Sequence, residues 1–343
     1  MKYEIVHEFP ALKTETAWRD LLSRLEAPSH YDSPEFFLEP FWGGKRPFAI
    51  LAVDGDRMTG VLTGIHERER VISGLPSRPQ IAVDPAADVN AVLAALLQGL
   101  SKEAKRAKLL TVFSWPSLEL TPFTAQGFRR RKTKGNVVLD LTHGADAIFQ
   151  QFPKDRRRNI RFAEKNAVTV RIAANHEDFL LAYDVYSAWM KAEHRGPKRE
   201  HRTFQSFEAG QLLTRNRRLF MAELEGRVIA INTFRFHAGG LFESAANFSL
   251  NEFLHLKPND LLQWRGIEWA CSQGLRRHSL GGAHPFLLRF GGTVIPIISY
   301  RLDRSLLHQY DLRDMVEETA RKTLRKMPAP MQAKIRRVLA KER

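Results

Sequence analysis

The chain has 343 residues, 43% hydrophobic and 27% charged, an ordinary composition for a soluble globular protein and long enough for two domains. Its 53 Lys and Arg outnumber 38 Asp and Glu for a net charge of +15, which favours a polyanionic partner such as nucleic acid, an anionic membrane or a phosphate-bearing substrate. One cysteine, Cys271, excludes an intramolecular disulfide framework and a Cys-rich metal site; the start MKYEIVHEFP lacks a signal peptide's apolar core, and no apolar run reaches transmembrane length, so a cytoplasmic protein is expected.

In chain order, KYEIVHEF (2–9) alternates as a strand does, and TETAWRDLLSRLE (14–26) spaces Trp18, Leu21, Leu22 and Leu25 as a helix. PFAILAV (47–53) and MTGVLTGI (58–65) flank an Asp-Gly turn and predict a hairpin. A helix over about 87–105 leads into the buried-looking strand LLTVF (109–113), and NVVLDL (136–141) is a further strand. The second half repeats this order. A basic helix (154–166) precedes VTVRIA (168–173), then come helices over about 176–194 and 202–214. RLFMAEL (218–224) and RVIAINTFRF (227–236) form a hairpin, and GGLFESAANF (239–248) is a third strand. A helix over 258–274 is closed by Gly274, and RRHSL (276–280) and VIPIISYRL (294–302) read as later strands. The last segment, 311–343, reads as two basic amphipathic helices broken at Pro328 and Pro330.

The basic helix KDRRRNIRFAEKN places Lys154, Arg158, Arg161 and Lys165 at i, i+4, i+7 and i+11, one stripe opposite Ile160, Ala163 and Ala167. Like charges at this spacing repel by about 0.2–0.5 kcal/mol per pair, so the stripe suits an anionic partner, though a solvated face has the same pattern. No zinc-finger spacing or helix-turn-helix pattern accompanies it, and only Phe162 interleaves the cations as single-strand binding would require. No Gly-x-Ser-x-Gly elbow or phosphate-binding Gly-x-x-x-x-Gly-Lys loop is present, and the twelve histidines lack ligand spacing, so no metal is expected.

The segment VVLDLTHGADAIFQQFPKDRRRNIRFAEKNAVTV (137–170) resembles the entry to the second domain of FemAB-like proteins, within the GNAT acyltransferase superfamily and near its BioF2-like (CelD-like) group. RLFMAELEGRVIAINTFRF (218–236) resembles that family's central hairpin, and HLKPNDLLQWRGIEWACSQGLRRHSLGG (255–282) its donor-binding helix and following strand. The resemblance implies an α+β fold of two tandem GNAT-like domains, each a mostly antiparallel mixed sheet flanked by helices. The boundaries expected are 1–140, 141–310 and a basic tail over 311–343. It implies N-acyl transfer from acyl-CoA, as donor substrate, to an amine on a small or lipid-linked, envelope-associated acceptor.

Such chemistry makes definite demands. An alkyl amine with a pKa near 10.4 is neutral in about one molecule in 2,500 at pH 7, a cost of about 4.6 kcal/mol that a base or a desolvating pocket must offset. The carbonyl oxygen gains charge as the amine adds, and the resemblance to GNAT folds implies a splayed strand pair as the source of a backbone N–H that stabilises it. Glu243, on one strand face with Leu241 and Ala245, is a candidate base, with an ion pair to Arg235 or another cation as its alternative role. His284, in the glycine-rich loop 280–292, is a second candidate, and Arg289 stands where the family often carries lysine. The helix beginning at Pro258 offers free N–H groups to a pyrophosphate; Lys257, Asn259 as cap, Asp260 and Leu261 are the candidate donor-binding residues, although Asp260 brings a like charge. Arg195, in a loop resembling the acceptor-facing one, joins Arg158 and Arg161 as candidate substrate contacts. Two alternatives stand beside acyl-CoA transfer: an aminoacyl-tRNA-dependent peptidoglycan peptidyltransferase, with tRNA on the arginine stripe, and a non-catalytic binder of an anionic ligand. The amphipathic tail (330–343) suits either an anionic membrane surface or packing on the body of the protein.

Overall fold

The computed structural model describes residues 1–40, 44–115, 118, 121–192, 203–212, 216–326 and 331. The first half runs β1 (Lys2–Val6), α1 (Leu12–Ser23), β2 (Arg46–Asp54), β3 (Arg57–Glu67), β4 (Arg70–Ser73), β5 (Ile81–Val83), α2 (Val89–Glu103), β6 (Leu109–Ser114), α3 (Thr121–Ala125) and β7 (Arg129–Lys132). The second runs β8 (Asn136–Asp140), α4 (Gly144–Gln151), α5 (Lys154–Lys165), β9 (Thr169–Ile172), α6 (His176–Ala192), α7 (Phe204–Leu212), β10 (Arg217–Leu224), β11 (Arg227–Phe236), β12 (Leu241–Ser249), α8 (Pro258–Ser272), β13 (Arg277–Gly282), α9 (Pro285–Leu288) and β14 (Thr293–Ile295). β15 (Ile298–Asp303) and α10 (Gln309–Lys326) close the described chain.

Two mixed sheets result. The first has the order β1-β2-β3-β4-β6-β15-β7 with β5 on β3, the second β14-β8-β13-β12-β11-β10-β9. Each contains a parallel pair joined across a helix: β4 with β6 over α2, and β12 with β13 over α8. The remaining pairings are antiparallel, so the halves share one plan, a meander followed by a crossover. The expected tandem α+β architecture is what the chain adopts.

The strand ends do not respect a simple cut. The segment expected as one strand over 294–302 divides at Pro296, which has no N–H for a ladder: β14 pairs with β8, and β15 crosses back to lie between β6 and β7. β8 belongs to the second sheet and β15 to the first, so the first unit is completed by residues far downstream of residue 140.

Side-chain periodicity explains the layers. In α2, Val92, Leu93, Leu96, Leu97 and Leu100 are buried against one face of the first sheet, while Trp18, Leu21 and Leu22 of α1 cover the other. In β10, Phe220 and Ala222 face α8, whereas Leu219 and Met221 face α6. Each large apolar side chain so buried contributes about 1.5–3 kcal/mol. α8 lies close on the sheet because Gly266 carries no side chain: a Cβ there would meet Phe234 Cζ at 2.5 Å. In α5, Ile160 and Ala163 are buried as the spacing requires, but Ala167 lies beyond the helix end, exposed and at φ 58°.

Candidate active site

The β12–β13 pair parts early. Leu241–Glu243 match Arg277–Ser279 in parallel register, and beyond those three residues the strands are unpaired. The second irregularity is on β12's other edge. Thr233 opposes Ala246 and Phe234 opposes Ser244, which leaves Ala245 as the extra residue of a bulge. Both features free β12 backbone from the ladder at the end of the strand that leads to α8. The gap is not filled by apolar side chains alone: Ser244 Oγ lies 3.1 Å from His278 Nε2, which is 3.2 Å from Gln263 Nε2, and Asn232 Nδ2 donates to Gln263 Oε1 at 3.4 Å. Burial drives His278 down to about 3, so this imidazole is neutral.

The amino end of α8 forms a second feature beside the gap. Lys257 precedes it at φ 61°, a left-handed conformation that a side chain makes unfavourable by about 1–2 kcal/mol. No side chain caps the helix. Asn259, expected to cap, instead accepts a 2.6 Å bond from Ser249 Oγ, because Pro258 occupies the first helical position and places Asn259 inside the helix. Asp260 is 5% exposed and forms an ion pair with the buried Arg156. Its charge, which opposed anion binding in the bare sequence, is neutralised at its own site. The Arg156 guanidinium also lies 4.7 Å and 4.1 Å from the ring centroids of Phe286 and Phe290. Burial lowers its pKa to about 10, which leaves it charged at neutral pH.

Arg156, Asn159, Lys257, Asn259, Asp260 and Arg289 meet around a pocket of about 250 Å³. Three of the four expected donor-binding residues are therefore together. The fourth, Leu261, is 1% exposed and packs in the hydrophobic core, so its side chain has no route to a ligand. Arg289 reaches this pocket rather than Glu243, and pairs with Asp155 of α5. His284 is exposed and serves as the N-cap of α9, where Nδ1 accepts from the Phe286 N–H at 3.2 Å. That bond engages the nitrogen lone pair that a proton acceptor would use. Arg158 and Arg161 are exposed on the outer face of α5, with Arg161 5.6 Å from the Phe149 ring. Arg195 lies outside the described residues.

Glu243 occupies the last paired position before the gap, on the sheet face toward the first half of the chain. It is 2% exposed, and Oε2 has no hydrogen-bond partner among the described residues. Burial, with the nearby Asp32 and Glu39 carboxylates adding to it against Arg78 and Arg235, pushes its pKa up to about 7. The expected pairing with Arg235 is not made. Arg235 stands directly across the ladder from Glu243 but gives Nε and Nη2 to Glu39 at 2.9 and 3.1 Å. Glu39 also takes an ion pair from Arg217 and a 2.7 Å bond from His30 Nε2. Burial alone would raise its pKa, but Arg235, Arg217 and His30 hold it well below the ordinary carboxylate value. The buried Arg217 and the largely covered Arg235 are thus both committed to Glu39, and Glu243 forms no ion pair among the described residues.

The surroundings of Glu243 come from the first half. The Arg78 guanidinium lies 3.8 Å from the Tyr31 ring centroid, and Asp32 is buried with its pKa raised to about 6 by desolvation. Asp32, Trp115 and Leu118 line a cleft of about 490 Å³ that is closed on the other side by Val138, Leu241 and Arg277. The halves are joined there by the Leu241 N–H bond to Pro28 O at 2.9 Å and by the Arg277–Glu26 pair. His30, Tyr31 and Asp32 belong to HYDSPEFF (30–37), a segment that lends weaker support to the family resemblance but no site role, and Glu39, Arg217 and His278 carry no local spacing that links them to it. The arrangement suits proton removal at Glu243 on one face of the sheet and an anion at the α8 end of the gap.

Known proteins bear on this geometry. Residues 151–290 match the family model for the acetyltransferase (GNAT) domain. Among solved structures, FemX aligns at 14% identity over 90% of this chain and 99% of its own, with a TM-score of 0.66. L-PGS from Bacillus licheniformis aligns at 11% identity over 92% and 98%, at 0.59. A tandem GNAT protein from the clavulanic acid biosynthesis pathway aligns at 14% over 89% and 99%, at 0.56. No curated protein sequence matches the chain. The chain therefore carries a GNAT-type acyltransferase domain at residues 151–290, built into a tandem fold shared with FemX.

Proposed function

We propose that the protein is an N-acyltransferase that takes its acyl group from acyl-CoA and passes it to an amine entering through the cleft between the halves. The observation that carries this reading is the β12–β13 gap opening onto an uncapped helix end whose pocket contains Arg156, Lys257 and Arg289. The pyrophosphate of the donor fits there: free N–H groups and the helix dipole favour an anion, and Asp260 is already paired. The acyl carbonyl then lies in the gap, where β12 N–H groups outside the ladder can donate to its oxygen. The amine enters in its neutral form and attacks the carbonyl carbon; Glu243 takes the one proton the nitrogen loses as the new carbon–nitrogen bond forms and the carbon–sulfur bond breaks, and the sulfur leaves as thiolate. The working units proposed are those expected, 1–140 for acceptor binding and 141–310 for transfer, except that β8 (Asn136–Asp140) goes with the second sheet and β15 (Ile298–Asp303) with the first.

Calorimetry with coenzyme A tests the donor. Binding that weakens about tenfold in the Lys257→Gln variant supports the site; undiminished binding in Lys257→Gln and Arg289→Gln together refutes it. A second reading, transfer from an aminoacyl-tRNA, is favoured by the FemX-like fold and by the exposed stripe Lys154, Arg158, Arg161 and Lys165, which lies on the helix that supplies Arg156 and Asn159 to the pocket. Salt-sensitive binding of bulk tRNA, lost when Arg158 and Arg161 become Gln and unaccompanied by coenzyme A binding, would select it.

A further inference from the structure

A second cationic pocket lies in the first half, remote in sequence from the gap. Arg46, Arg68, Lys102, Lys105 and Arg106 line a recess of about 350 Å³ with His66 and Glu103. The single acid is already occupied, since Glu103 accepts from His66 Nε2 at 2.7 Å and His7 Nε2 at 3.0 Å. Burial alone would raise the Glu103 pKa, but those two bonds hold it below its ordinary value. Arg46, Arg68, Lys105 and Arg106 are exposed and form no ion pair among the described residues. Five like charges gathered in one recess repel one another, and an anion relieves that repulsion.

An apolar projection adjoins this recess. Arg304 N donates to Lys108 O at 2.8 Å and Arg304 Nη1 to Ala104 O at 3.1 Å, which ties the end of β15 to the turn that carries Lys105 and Arg106. Two residues further on, Leu306 and Leu307 are 78% and 75% exposed. Their presentation is built. Leu307 and His308 are both left-handed, at φ 55° and 50°, and the turn is held by Ser305 Oγ on Asp303 Oδ1 at 2.5 Å and by His308 Nδ1 at 2.9 Å from Asp303 O. Leu312, Met315 and Val316 continue the exposed apolar surface along α10 at i, i+3 and i+4. A strained turn that thrusts two leucines into solvent beside unpaired cations is the complement of a surface with anionic headgroups above an apolar layer.

We infer that this end of the first sheet docks on an anionic phospholipid bilayer, the recess taking lipid phosphates and Leu306 and Leu307 entering the acyl boundary. The test is co-sedimentation of the full chain with vesicles of phosphatidylcholine alone and of phosphatidylcholine mixed equally with phosphatidylglycerol. Binding is expected only to the mixed vesicles and falls with salt. Replacing Arg68, Lys105 and Arg106 by Gln lowers the partition coefficient about a hundredfold, at roughly fivefold per cation. Replacing Leu306 by Ser and Leu307 by Asn lowers it at least about tenfold; Asn tolerates the left-handed conformation, so the fold is retained. The Lys334→Gln, Arg336→Gln, Arg337→Gln variant separates the basic tail from the recess. Wild-type vesicle binding by both the recess variant and the leucine variant overturns the inference, as does binding of bulk tRNA through the same cations with none to vesicles.

Discussion

Replacing Glu243 by Gln should stabilise the protein at alkaline pH while removing the proposed proton acceptor. The carboxyl is fully buried, and its pKa rises from 4.5 to about 7 on folding, chiefly by desolvation. Below pH 4.5 both folded and unfolded states hold the proton and the group is neutral in its effect. Between 4.5 and 7 the unfolded chain ionises first, so stability falls as pH rises; above 7 the full penalty is present. A shift of this size corresponds to about 3 kcal/mol. Gln reproduces the protonated shape and carries no penalty. Wild type and Glu243→Gln should therefore have melting temperatures within about 1 °C at pH 4.5–5 and separate to about 4 °C at pH 8, with the variant higher, for a 343-residue chain unfolding as one unit. Asp32 is coupled to Glu243, so the difference curve reports the pair. Thermal melts of both proteins across pH 4.5–8 measure it. A pH-independent difference, or a less stable variant at pH 8, would refute the assignment of a desolvated, partnerless carboxyl.

Other outcomes follow from the same geometry. Turnover, measured as thiol release from acyl-CoA with an amine acceptor, should rise through about pH 7 as Glu243 ionises, and Glu243→Gln should lose about 10²–10⁴ in rate. Glu39→Gln leaves Arg217, Arg235 and His30 without their shared carboxylate and should cost about 3–5 kcal/mol in urea unfolding at pH 7, a deficit that shrinks as acid titrates the wild type. Gly240→Ala would place a Cβ 2.2 Å from Pro28 O, so proteolysis between the halves should accelerate in this variant while a conservative change at exposed Arg158 has no such effect. Gly266→Ala should destabilise by about 1–3 kcal/mol through the Phe234 ring, read by thermal melting.

Much of the architecture was legible because it is written in local periodicity. The hairpin β10–β11, the helices α2 and α8 and the basic face of α5 follow from alternation or 3.6-residue spacing. The proposed donor pocket was partly legible, since Lys257, Asn259 and Asp260 lie within four consecutive residues at the start of a helix. What sequence could not give was partnership across distance. Glu39 and Arg235 are 196 positions apart, so the competition that frees Glu243 from Arg235 leaves no spacing to read. Arg156 was one cation in a run of six, and only folding separates it, buried against Asp260, from its solvated neighbours Arg158 and Arg161. The division of 294–302 at Pro296 could have been anticipated from the missing N–H, but the destination of β15 depends on the edge left open between β6 and β7.

That destination governs how the molecule can be assembled. Until Ile298–Asp303 has been synthesised, β6 and β7 have no strand between them, and Tyr300 is absent from its stack on Phe123 at 3.7 Å. The amino-terminal unit is therefore the last to be finished although it is the first to leave the ribosome, and the two units cannot be separated by a single cut. Expression of residues 1–140 alone would yield a sheet with a slot in it, open to the equivalent strand of another molecule.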